Sequence, residues 1–192
     1  FIFNLSTNNN AVFIGFYKYL YKPKENTISS FLDNYSKAKS EINTLQIGAN
    51  DGFNHDPIHK FIKIDDWSGV LVEPQKYVHD NFLAKLHQKS DKIKTLNAAL
   101  GEEDGQMPIY KISFTNDRWA TGLTSFIKQA LVEKVDDGSV DFLANKNGIQ
   151  TPSSKSDYIA EEQIEVISAL SLKNKYKIEK PDVLMIDVEG FD

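Results

Sequence analysis

From Leu45 onward, short apolar runs alternate with stretches of helical spacing. Leu45 and Ile47 form one run, which ends in the turn Gly48-Ala49-Asn50-Asp51-Gly52. An amphipathic stretch follows, with Ile58, Phe61 and Ile62 at helical spacing and Asp56-Pro57 set as N-cap and first helical position. After a turn at Trp67-Ser68-Gly69, Val70-Leu71-Val72 reads as a second strand, stopped by Glu73-Pro74. Tyr77, Val78, Phe82, Leu83 and Leu86 then repeat at helical spacing. Ile93, Leu96 and Ala98-Ala99-Leu100 predict a third strand ending at Gly101. Val183-Leu184-Met185-Ile186 is a fourth, apolar at every position, which predicts burial on both faces at the centre of a parallel sheet. Strands alternating with helices define an α/β fold.

Two regions frame this alternation. Residues 1–40 read as a separate helical segment, broken at Asn8-Asn9-Asn10 and at Pro23, with Thr27 to Ser30 capping a helix through Phe31, Leu32 and Tyr35. Within it, Ala11 to Tyr21 is an aromatic apolar run. It predicts a helix packed on the sheet, with an interfacial anchor as the lesser reading. Residues 41–192 form the α/β domain, and its stretch 113–163 is polar and glycine-rich, with helices expected over 126–135 and 140–146. A long insertion of this kind suits a substrate lid. Ile164, Val166 and Ile167 resume a strand, and Leu170 to Tyr176 a short helix.

The strand ends carry the candidate chemistry. A turn built on Gly48, Ala49 and Gly52 lets a flat ligand approach the backbone, although a plain strand-to-helix turn has the same composition. Glu73 falls 21 residues after Gly52 at the next strand tip, the spacing of a carboxylate that receives ribose hydroxyls. Asn97 offers a donor and an acceptor to an adenine edge, and a loop-capping role fits it equally. Asp187 and Glu189 lie at alternate positions and project to one side if the strand continues. They are candidates for general base, with His55 and His59 beside the glycine turn; two acids holding a metal are the minority alternative. Arg118 and Ser125 in the insertion are candidate substrate contacts.

Composition narrows the partners. Hydrophobic residues at 41% and charged residues at 26% are ordinary for a globular domain. A net charge of −5 argues against a nucleic-acid backbone as the main partner. The absence of cysteine removes disulfides and thiolate metal sites and fits a reducing compartment, so a cytoplasmic location is expected. No stretch reaches the ~18 apolar residues of a transmembrane span.

In order, LQIGANDG (Leu45 to Gly52), Asp56-Pro57-Ile58, Trp67 to Gln75, NAALGEEDG (Asn97 to Gly105), LTSF (Leu123 to Phe126) and DVLMIDVEGFD (Asp182 to Asp192) resemble an FkbM-type methyltransferase over residues 41–192. That resemblance implies a Rossmann-like class I methyltransferase sheet, S-adenosylmethionine as cofactor, and O-methylation of a sugar, glycan or natural product. It implies that Gly48, Ala49, Asn50 and Gly52 border the methionine and ribose end. Glu73, next to Pro74, would bind the ribose, Asn97 and Ala98 would lie by the adenine, and Asp187 would face the sulfonium. Gln46 stands where such enzymes often carry an acid near the methionine amino group; glutamine supplies an acceptor without charge.

Two other readings remain: a nicotinamide-dependent or nucleotide-sugar oxidoreductase using the same crevice, and a catalytically silent binding module. The family's sheet continues beyond a strand like Val183–Val188, so the sequence is expected to be a domain cut after its fourth core strand. Downstream residues, or a second copy in a homo-oligomer, are then expected to cover that strand's edge.

Overall fold

The computed structural model describes residues 2–188. At its centre is a four-stranded parallel sheet in which β1 (Asn43–Ile47) lies between β2 (Ser68–Val72) and β7 (Val183–Ile186), with β3 (Ile93–Leu96) beyond β2. Leu45 sits opposite Val70 on one side and Leu184 on the other. Alternate residues of the inner strands enter two cores. Leu71 packs with Ile58, Phe61, Ile62, Trp67, Leu83 and Ile93 on one face. Ile47, Val70 and Val72 pack with Leu172 and Ile178 on the other. Trp67 stacks on Phe61 at 5.0 Å and donates its indole N–H to Ser36 Oγ, which ties the N-terminal helices to the first core.

A second, three-stranded sheet has the order β4-β6-β5. Here β6 (Ile159–Ser168) is parallel to β4 (Ala99–Gly101) and antiparallel to β5 (Gly105–Ile112). The segment joining β5 to β6 holds α7 (Arg118–Thr121), α8 (Lys128–Asp136) and α9 (Ser139–Lys146). These close over a third core of Ile112, Leu131, Val135, Val140 and Tyr158. The two expected helices of the insertion are therefore present, but the long β5–β6 pairing beneath them was not anticipated.

The N-terminal segment forms α1 (Ile2–Thr7), α2 (Ala11–Gly15) running into a π turn over Phe16–Leu20, and α3 (Ile28–Ala38). The expected cap at Thr27 to Ser30 is present at the start of α3, where Thr27 and Ser30 close a capping box. The helix expected from Tyr77 to Leu86 is α5 (Lys76–Val78), a π turn over His79–Leu83 and α6 (Ala84–His87). In the C-terminal part, α10 (Ala169–Tyr176) follows β6. Among the described residues no helix is long and apolar enough to cross a membrane.

Three expectations need correction. The glycine turn leads into a compact loop in which Asp51 accepts the Phe53 and Asn54 amides, and α4 then spans His59–Ile64. Asp56 accepts the Ile58 amide two residues on, while Ile58 occupies the N-cap position, so Asp56 and Pro57 precede the helix. The run Ile93 to Gly101 is two strands in two sheets, because Asn97 binds the end of β2 and the chain bends there. Finally, β7 is paired only with β1 among the described residues, and Leu184 and Ile186 are half-exposed rather than buried.

Candidate active site

The carboxyl end of β1 is joined to both neighbours through the backbone. Gly48 and Ala49 both donate to the Val72 carbonyl at 2.9 Å, and Asp187 donates its amide to Ile47 at 3.0 Å. Gly48 has φ +77°, and a Cβ there would lie 1.8 Å from the Asp187 carbonyl oxygen. Only glycine lets the turn pass beneath the end of β7.

Glu73 is buried at the tip of β2. Its carboxyl oxygens accept the Asn50 amide at 2.8 Å and the Gln75 amide at 2.9 Å. Burial pushes its pKa up to about 7, against those two hydrogen bonds, and the Asp51 charge adds to the rise. Asn97 donates its side-chain amide to the carbonyls of Glu73 and Pro74, both at 2.9 Å. Both of its N–H bonds are thus spent on β2, and Asn97, expected beside the adenine, is not among the residues that line the cavity at these strand tips.

These tips open on a cavity of about 340 Å³. Its floor comes from Ile47, Gly48 and Asn50 of the first turn, Glu73, Pro74 and Gln75 of the second, Ala98 to Leu100, and Ile186 to Val188. Its roof comes from Met107 and Ile109 of β5 and from Thr124 to Ile127. Of the sequence-derived candidates, Gly48, Asn50, Glu73, Pro74, Ala98, Ser125 and Asp187 therefore share one cavity.

Others stand apart from its walls. Ala49 is packed in the first core. Gly52 lies against Leu83 and Leu86. Gln46 is buried, its amide N–H 3.4 Å from Asp56 Oδ2 and its carbonyl oxygen without a partner among the described residues. Burial raises the Asp56 pKa to about 6. His55 is exposed on the loop with φ +59°. His59 is buried between Ser6 Oγ at 3.0 Å and the Gly52 carbonyl at 2.8 Å, and burial pulls its pKa down to about 4. Arg118 pairs with Asp51 at 2.9 Å and donates to the Asn54 carbonyl, which anchors α7 to the glycine turn. Glu189 lies outside the described residues. Among the described residues no three His, Asp or Glu side chains come together as a metal site.

The roof residues Met107, Ile109 and Ile127 carried no functional signal in the sequence, and Phe126 carried one only as the end of the Leu123–Phe126 motif. Thr124 donates its hydroxyl to Gln75 Oε1 at 2.9 Å, joining roof to floor. Its only signal was membership of the Leu123-Thr124-Ser125-Phe126 motif, from which Ser125 alone was singled out. Ser125 exchanges both backbone hydrogen bonds with Tyr110, so this motif is a bridge on the edge of β5.

No curated protein and no solved structure matches the chain. The family model described as the methyltransferase FkbM domain matches residues 46–192. That span takes in all four strands of the parallel sheet except the start of β1, the whole second sheet, and every residue that lines the cavity. The mixed α/β architecture agrees with a Rossmann-like methyltransferase, and the chain belongs to the FkbM methyltransferase family.

Proposed function

We propose that the cavity binds S-adenosylmethionine and that the protein transfers a methyl group to a hydroxyl of a sugar, glycan or natural product. One observation carries the reading: Asn50, Glu73 and Asp187, from three different strand ends, line the same cavity. Open α/β sheets bind ligands at this end of their strands.

The residues fit the cofactor. Each oxygen of Glu73 holds one backbone amide and keeps lone pairs for the two hydroxyls of a ribose. Gly48 lets the first turn pass against the Asp187 backbone, so that both strand ends reach the cavity. Met107, Ile109 and Phe126 give an apolar surface suited to a flat base and to keeping water out. When bound, the cofactor supplies an electrophilic methyl group on positively charged sulfur.

The protein's share is then orientation, exclusion of water and removal of one proton. Asp187 is the candidate base for the acceptor hydroxyl, and Ser125 on the opposite wall is the candidate acceptor contact. The segment joining β5 to β6 would act as the lid, held to the floor by Arg118–Asp51 and Thr124–Gln75.

Calorimetric titration with S-adenosylhomocysteine and with NAD tests the reading. Binding of S-adenosylhomocysteine alone is expected, and binding of NAD alone would overturn it. In methyl-transfer assays with glycans, Asp187→Ala is expected to lose activity while keeping its affinity for S-adenosylhomocysteine. A parent protein that binds the cofactor but methylates no hydroxyl would leave a silent binding module.

A further inference from the structure

The segment from Ala11 to Lys24 presents to solvent what a helix ordinarily buries. Along α2 and its π turn, one side is fixed to the domain. Phe13 is buried, 4.9 Å from the Tyr17 ring and 6.3 Å from His59. The other side carries Val12, Phe16, Tyr19 and Leu20, which are 79, 49, 73 and 71% exposed. Their spacing makes one stripe along a helical surface. Further on, α3 exposes Ile28 and Phe31, one turn apart. Single exposed apolar residues are ordinary, but an ordered row of them marks an interaction site.

Charge says what kind. Lys18, Lys22 and Lys24 lie in or just after the row, and no acid falls between Ala11 and Lys24, although the chain as a whole carries −5. Among the described residues none of these three lysines forms an ion pair, and the Lys18 ammonium rests 5.6 Å from the Tyr19 ring. A symmetric contact between two copies through this patch would set lysines against lysines. Tyrosine, phenylalanine and leucine beside lysine suit the boundary between lipid headgroups and acyl chains. The segment is too short to span a bilayer, which needs about 20 residues of helix.

We propose that the Ala11–Lys24 segment docks the protein on an anionic lipid surface, lying in the headgroup plane. Val12, Phe16, Tyr19 and Leu20 enter the acyl boundary while the three lysines meet lipid phosphates.

Co-sedimentation of the full chain with vesicles tests this, using phosphatidylcholine alone and phosphatidylcholine mixed with phosphatidylserine. The parent is expected to pellet with the mixed vesicles and to be released by salt. Phe16→Ser with Leu20→Ser, and separately Lys18→Glu, Lys22→Glu and Lys24→Glu together, are each expected to weaken binding by about ten-fold or more. All five side chains face solvent, so unchanged circular dichroism and thermal melts are expected of both variants. Pelleting with neither vesicle, or equally with both, overturns the proposal. So does a dimer that Phe16→Ser with Leu20→Ser abolishes while vesicle binding is absent.

Discussion

The Glu73 carboxyl accepts the Asn50 backbone N–H at 2.8 Å, so the acid at the end of β2 holds the turn at the end of β1. Its second oxygen takes the Gln75 amide. One buried side chain thus organises two of the cavity's walls, and its charge state bears on both fold and ligand.

Burial holds the Glu73 pKa near 7, above the ordinary 4.5. The raised value means that its favourable contribution to folding is fully present below 4.5 and is lost as pH rises through about 7. Ribose hydroxyls bound there would donate to the ionised form and pull the pKa back down. Affinity for S-adenosylhomocysteine is therefore expected to increase between about pH 6 and 8, and Glu73→Gln is expected to flatten that profile. Calorimetry at several pH values reads both.

Gly48→Ala is expected to destabilise the domain by more than about 2 kcal/mol, since the new methyl group would meet the Asp187 carbonyl and the backbone is left-handed there. Urea denaturation measures it. Gly105→Ala serves as a control, because none of the described residues comes within 4 Å of a Cβ at that position.

Arg118 is half-exposed, so its bond to Asp51 adds only about 0.2–1 kcal/mol to global stability. Its effect is expected to be local. Arg118→Ala combined with Thr124→Val should leave the melting temperature nearly unchanged while speeding proteolysis between β5 and β6. Limited digestion followed by mass spectrometry reads the cleavage sites.

His87 is buried with neither ring nitrogen partnered among the described residues, and burial, with the nearby Lys63 charge, pulls its pKa down to about 3. His59 is pulled down to about 4. Depressed values mean that the unfolded chain binds these protons first. The stability they permit is complete above 6.5 and is lost as pH falls through 4 and 3. At roughly 1.4 kcal/mol per pKa unit, His87→Leu is expected to gain up to a few kcal/mol relative to the parent at acid pH. Denaturation curves across the acid range decide it.

The ends of β1, β2 and β7 were legible because each joins an apolar run to a glycine, proline or acid, and that local chemistry fixes where a strand stops. The start of α4 was not, because the Asp56 side chain takes the Ile58 amide and Ile58, rather than Asp56, occupies the N-cap position. The β5–β6 pairing was hidden for another reason. Its partners are far apart in sequence, and Pro108 weakens the strand signal, although β5 is an edge strand where proline is tolerated. Arg118 showed only that a cation stood in the insertion; its acid lies 67 residues away and no local pattern joins them. Asn97 has the donors and acceptor that suit a base edge, and the fold spends its donors on the end of β2.

A crystal structure of the protein with S-adenosylhomocysteine decides whether this cavity is the cofactor site. The ribose hydroxyls are expected on Glu73, the sulfur beside Gly48 and Asp187, and the adenine under Met107, Ile109 and Phe126. The ligand bound elsewhere, or its ribose turned away from Glu73, would contradict it.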